Sequence, residues 1–304
     1  MYRYKIYGIL IESEFELKLL VPAEETDKLS DVITVREKDV EEEVLNYLKE
    51  AGALKKHYEI GLEKSAMENI GGYYLVTDSQ ILVKLKEGYT YDTISSWILG
   101  YCLSMALLQK NILTIHCSAI TNNAGAVLVS GTPGAGKSSL AGKLLEHGYK
   151  LLADDVAAIR FKDDKCLVYP AYPFQKLCSN EVENRALDKS KLVYINEDKD
   201  KYLVPVNDIF EPAPHQLKAF FYIIKAPVEE LTLKKLSGFE CFMSVKENLF
   251  LHRLKGNWET TPEVISQCMK IASGCDVYLL VRPDNKDTLT EINQTVLKLL
   301  QYPL

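Results

Sequence analysis

Gly131-Thr132-Pro133-Gly134-Ala135-Gly136-Lys137-Ser138 satisfies the pattern G-x-x-x-x-G-K-[ST] at every position. It lies between an apolar run, "AVLVS", and the stretch "SSLAGKLLEHG", which carries Leu140, Leu144 and Leu145 on one side and stops at Gly148. Its glycines let the backbone curl until successive N–H groups point inward, and a helix beginning near Lys137 adds its positive end. The chemistry this suits is the holding of a nucleoside triphosphate. Gly131, Thr132, Pro133, Gly134, Ala135, Gly136, Lys137, Ser138 and Ser139 are the candidate contacts, with Lys137 on the β and γ oxygens and Ser138 on Mg²⁺.

A second set of residues could act on the phosphate so held. "LLADD" places Asp154 and Asp155 directly after an apolar strand, where an acid would meet the metal. Neighbouring strand residues face opposite ways, so one acid serves Mg²⁺ and the other faces an incoming hydroxyl, whose proton a carboxylate can accept. An Asp pair can also simply open a turn. His116, in "TIHCSAI", ends the strand before the loop, and pairing of neighbouring strands would set it beside the acids, to orient a carboxylate or handle the proton. Transfer of a phosphoryl group also calls for a cation opposite the loop, and Arg253 in "LFLHRLKG" and Arg282 in "LLVRPD" are the candidates, each with surface ion pairing as its plain alternative. A GTPase would need D-x-x-G after the loop and N-K-x-D further on. The first is absent, and Asn285-Lys286-Asp287 falls one residue short of the second.

Several elements must position these groups. Tyr2, Tyr4, Ile6 and Leu10 share one parity and predict a half-buried strand. "DVEEEVLNYLKE" (39–50) predicts a helix through Val40, Val44 and Leu48, with Asp39 as N-cap. "GGYYLVTDSQILVKLKEG" (71–88) predicts a hairpin. The pattern then changes to a long apolar helix, a strand over 112–120 and the loop strand. Strands follow on either side of the "KDDK" turn at 162–165, then at 219–227 and 275–283, with helical stretches around 239–255 and 286–300. These place a β-rich α+β domain over residues 1–90 and an α/β domain with a mixed sheet over 91–304. No repeat or low-complexity linker joins them.

Composition bounds the partners. The 304 residues are 47% hydrophobic, which suffices for an ordinary core. Acidic residues (42) outnumber basic ones (36), for a net charge of -6, and no basic cluster interleaved with aromatics suggests nucleic acid. The 7 cysteines are odd in number and contain no C-x-x-C pair, which predicts reduced thiols in the cytoplasm. "MYRYKIYGILIESE" is not a signal peptide, and "WILGYCLSMALL" (97–108) is well short of the roughly 20 residues of a membrane span. No membrane partner is expected.

Taken in order, "LTIHCSAI…VSGTPGAGKSSLAGKLLEHGYKLLADDVAAIR" resembles the catalytic domain of the HPr serine kinase family: histidine, strand, P-loop, helix, strand, Asp-Asp. The likeness covers 93–177, including "PAYPFQKL", is looser over 178–282, and leaves 1–90 outside. It implies a fold related to phosphoenolpyruvate carboxykinase and an ATP- and Mg²⁺-dependent kinase acting on a serine hydroxyl. Asp155 would be the base, Asp154 a metal ligand or partner of His116, and Lys137 and Ser138 the phosphate and Mg²⁺ contacts. Ser139 stands where enzymes that phosphorylate HPr usually carry an acid, and the chain resembles more the shorter branch that includes kinases of lasso-peptide precursors. That implies a peptide or small protein as acceptor, which the first domain would grip or merely cap, and admits a homo-oligomer. A free L-serine kinase and a nucleotide-binding regulatory module without transfer chemistry are the alternatives.

Overall fold

Apolar side chains at alternate positions, interrupted by turn residues, account for most of the strands. The computed structural model describes residues 1–24, 29, 31–196 and 200–301. The chain forms two compact units, one of Met1–Thr114 with Phe250–Ser266 and one of Ile115–Leu249 with Gln267–Leu304. None of the helices among the described residues is long and apolar enough to cross a membrane.

The first unit is built on a mixed sheet. Tyr2–Ile6 turns back at Tyr7 and Gly8 onto Ile9–Ser13, and Gly72–Val76 pairs with Gln80–Leu85 as the expected hairpin. The helix Glu41–Glu50 buries Val44 and Leu48. Asp39 is not its N-cap. Val40 occupies that place without a side-chain bond, and the Asp39 carboxylate, one residue earlier, accepts from Glu41 N–H (3.4 Å) and pairs with Lys84 at 2.9 Å. A helical run follows as Tyr91–Trp97, a wider turn at Ile98–Cys102, and Leu103–Gln109. The division falls after Thr114 and not near 90, and the Gln109 amide donates to Gly61 O (3.1 Å) and Ser65 Oγ (3.0 Å), which fastens the apolar helix to the first sheet. Phe250 returns to the same unit and meets the Tyr101 ring at 5.1 Å.

In the second unit the strand order runs Lys150–Ala153, Ser118–Asn122, Gly125–Gly131, His215–Ala226. Lys150–Ala153 and Gly125–Gly131 are each antiparallel to Ser118–Asn122, so they run parallel to one another. Gly125–Gly131 is parallel to His215–Ala226, which is parallel to Asp276–Pro283. Four carboxyl ends therefore open on one edge of the described sheet, the edge at which open α/β sheets bind ligands. The long strand also pairs at its start with Lys165–Tyr169, whose hairpin to Ala157–Lys162 turns at Asp163 and Asp164. A smaller sheet joins Phe174–Cys178, Asp200–Pro205 and Val193–Asn196 over Leu177, Val182 and Val204.

Two predicted strands are broken, and both breaks fall on candidate site residues. The run 112–120 divides into Leu113–Ile115 and Ser118–Asn122, with His116 and Cys117 between. "YKLLADDVAAIRF" divides into Lys150–Ala153 and Ala157–Lys162, because Asp155 takes the left-handed conformation at φ 72° and turns the chain. Pro262–Gly274 forms an additional helix.

Gly131 ends the loop strand at φ 154°, and a Cβ there would collide with the Ile223 carbonyl of the neighbouring strand. Gly131→Ala is expected to cost about 1–3 kcal/mol of stability, read as a lower urea midpoint. An unchanged midpoint would show that the two strands can part at this point.

Candidate active site

The loop follows from where its donors and glycines stand. Thr132 N–H donates to Ile223 O (3.1 Å) and Ala135 N–H to Thr132 O (3.1 Å), so the turn is pinned at its root and closed on itself. Gly134 (φ 75°) and Gly136 (φ 102°) supply the left-handed turns, and a Cβ on Gly134 would meet nothing within 4 Å. The helix Lys137–Glu146 starts there, and the first N–H groups of any helix lack intrahelical acceptors. Lys137 Nζ curls back on Gly131 O (2.8 Å) and Thr132 O (3.3 Å).

Three side chains brace this turn from the outside. Ser139 Oγ donates to Glu181 at 2.5 Å, and Arg185 donates to Ser138 O (3.2 Å) while lying so close to Gly142 that a Cβ there has no room. Arg282 is buried, donates to Ala135 O at 3.2 Å and rests against Gly136.

The two acids take different surroundings, as opposite-facing neighbours should. Asp154 is buried, with Oδ1 accepting from Ser118 Oγ (2.5 Å) and Oδ2 from Lys176 N–H (2.8 Å). Burial raises its pKa, opposed by those two bonds. Each oxygen thus accepts one bond inside the protein and keeps a second lone pair. Asp155 is the more exposed of the two. Its Oδ2 meets Lys176 Nζ at 2.9 Å and its Oδ1 lies 3.7 Å from Lys201 Nζ. His116 Nδ1 lies 3.0 Å from the Asp155 carbonyl oxygen and 3.6 Å from Oδ1. Burial works against the charged carboxylate, but the charges of Lys176, Lys201 and His116 outweigh it and hold Asp155 well below the usual carboxylate range.

His116 is itself held. Its N–H donates to Asn248 O (2.8 Å), and Ser130 Oγ sits 2.5 Å from His116 O and 2.6 Å from Asn248 Oδ1. Loop and acids share a neighbourhood at Cys117, whose thiol burial pushes far up, with Asp154 and Asp155 adding and Lys137 opposing.

The structure therefore brings His116, Lys137 and both acids into one unit. Arg253 lies in the turn Phe250–Arg253 of the first unit, and Arg282, in the second, touches the loop. Lys176 and Lys201 are the functional residues that sequence reasoning missed. A lysine within the buried strand "FQKLC" was the available signal for the first; Lys201, in the charged run "DKDK", offered none.

The residues present suit a triphosphate, since the loop offers glycine turns, helix-start amides and a lysine. For the metal, no group of three or more His, Cys, Asp or Glu among the described residues could hold an ion. Mg²⁺ carried on phosphates keeps most of its waters and needs few protein ligands; Ser138 would be the residue to meet it.

No family model and no curated protein matches this chain. Among solved structures, the HPr(Ser) kinase/phosphatase from Coxiella burnetii is similar at 13% identity and a TM-score of 0.31, over 62% of this chain and 93% of that one.

Because the Asp155 pKa is depressed on folding, its stabilising effect is complete above the unfolded value of about 3.9. It is lost as the pH falls through the lower folded value. Removing the closest cation with Lys176→Met brings the two values together, so the acid-side loss of stability is expected to be shallower than in the native chain. Urea midpoints between neutrality and acid check this; an equally steep acid limb would mean that Lys176 does not hold the carboxylate.

Proposed function

We propose that this chain is a kinase that transfers the γ-phosphoryl group of ATP, with Mg²⁺, to a serine hydroxyl of a peptide or small protein. The observation that carries the reading is the ionised Asp155, held by Lys176, Lys201 and His116 at the carboxyl end of a strand parallel to the one bearing the loop. Bound ATP and Mg²⁺ would supply the phosphoryl group and neutralise its charge. The loop amides and Lys137 then grip the phosphates, and Ser138 meets the metal.

Asp155 accepts a hydrogen bond from the acceptor hydroxyl and fixes its direction of attack. With so low a pKa it is a weak base, but phosphoryl transfer through a loose transition state relies on positioning and charge neutralisation more than on early proton removal. Lys176 and Lys201 add the positive charge that the equatorial oxygens require, and Arg282 stiffens the loop from behind. Serine as the acceptor is what the resemblance carried by the ordered set His116, loop, Asp154-Asp155 implies. A reducing compartment fits seven cysteines that are all free thiols.

The test is incubation with ATP, Mg²⁺ and serine-containing peptides, with free L-serine as a separate arm, and mass spectrometry for phosphoserine. Asp155→Asn should lower transfer by roughly 10²–10⁴-fold and leave the Kd for ATP within about twofold, since the phosphates are gripped by the loop amides and Lys137. ATP binding without phosphate on any acceptor would leave a regulatory nucleotide module instead.

A further inference from the structure

The sheet also says where the rest of the nucleotide must lie. Along the edge where the carboxyl ends open, the acids follow Lys150–Ala153 on one flank of the loop, and His215–Ala226 and Asp276–Pro283 end on the other. A triphosphate with its terminal phosphorus at Asp155 has its other end pointing the opposite way. The nucleoside then crosses the end of His215–Ala226 toward the residues that follow Pro283, two strand spacings from the loop, about 10 Å. That is within reach of a base from its α-phosphate.

The segment found there is Asp284-Asn285-Lys286-Asp287, all four exposed, and it contains the triplet that the sequence offers nearest to a base clamp. It is fixed in place. Asp284 N–H donates to Ala226 O (3.2 Å), and Asp287 Oδ1 accepts from Leu289 N–H (3.0 Å) at the start of Leu289–Gln301. Arg282 ties it to the phosphate loop, with one guanidinium nitrogen on Ala135 O (3.2 Å) and another on Lys286 O (3.3 Å) and 3.7 Å from Asp287. Its exposure is 8%, yet its Nε finds no partner among the described residues. A buried donor left over between two loops marks a place where a polar ligand or water belongs.

We propose that Asn285 and Asp287 form the nucleobase site, and that a purine base is selected there through the N–H donors on its polar edge. An amide beside a carboxylate offers acceptors to those donors and a donor to a ring nitrogen or carbonyl. This rests on the assignment of residues 131–138 as the triphosphate loop, and Arg282 couples the two by holding both backbones.

The experiment measures equilibrium binding of ATP, GTP and inorganic tripolyphosphate to the full chain and to Asp287→Asn, Asn285→Ala and Lys137→Ala. Asparagine retains an N-cap oxygen and residue 285 is exposed, so neither base-site variant should unfold; circular dichroism confirms it. The expected result is tighter binding of one purine nucleotide than of tripolyphosphate by the native chain. Asp287→Asn and Asn285→Ala each weaken that nucleotide about tenfold, the loss of one hydrogen bond, and leave tripolyphosphate within about twofold. The proposal is overturned if both variants bind nucleotides like the native chain, or weaken all three ligands alike, or if the native chain binds no nucleotide better than tripolyphosphate. If Lys137→Ala loses nothing, the phosphate loop itself is the error.

Discussion

A carboxylate with so little solvent around it is stable only in the company of cations, and the Asp155 ion pair with Lys176 is the interaction on which this site depends. Taking one partner from a buried pair costs about 3–5 kcal/mol, because the other charge stays behind without compensation. The constraint acts on the whole second unit. It draws Phe174–Cys178, which supplies Lys176, and Asp200–Pro205, which supplies Lys201, against the end of Lys150–Ala153. The backbone of Lys176 completes the arrangement by donating to Asp154, so one residue satisfies both acids, the first through its amide and the second through its ammonium.

Strand order converts that local pairing into a site. Ser118–Asn122 intervenes antiparallel between Lys150–Ala153 and the loop strand, which leaves Asp155 and the loop on the same edge and His116 entering between them. Asn248 and Ser130 then fix the His116 backbone from the side of the loop strand. The break at His116 and the break at Asp155 face each other across this gap, each allowing its residue to leave the ladder and turn a polar group toward the other. Continuous strands would have kept both groups pointed along the sheet normal.

The glycine-rich turn at 131–138, with the strand and helix that flank it, was legible in the sequence, because its conformation is set within eight residues by its glycines. The Asp pair and His116 were legible as residue types but not as breaks, since an apolar run does not show where its ladder ends. Lys176 and Lys201 were not legible together: they approach only through the antiparallel register of two strands separated by other elements, and charge in a strand usually means a solvated face. The contact of Arg282 with the loop was closed to sequence for the same reason. Arg282 ends an apolar run, and only the pairing of Asp276–Pro283 with His215–Ala226 carries it to the loop. The first unit extends past residue 90 with a helical run that is buried from Leu103 to Leu108 and whose Gln109 amide donates to Gly61 O, Ser65 Oγ and Val76 O, partners that no local pattern connects.

Two groups that the proposed reaction uses are already engaged within the protein: Lys137 with loop carbonyls and Asp155 with Lys176. On that reading, binding is an exchange of partners, and the exchanges are unequal. Lys137 leaves two neutral carbonyls for phosphate oxygens, a trade of ordinary hydrogen bonds for charge-assisted ones. Asp155 can turn to an acceptor hydroxyl without stranding Lys176 only where another anion stands beside that ammonium. A phosphoryl group arriving from the loop is such an anion, so the donor that provides the group to be moved also releases the carboxylate that receives the hydroxyl. Ordering of that kind keeps a buried, strongly acidic aspartate inert toward solvent until both substrates are present.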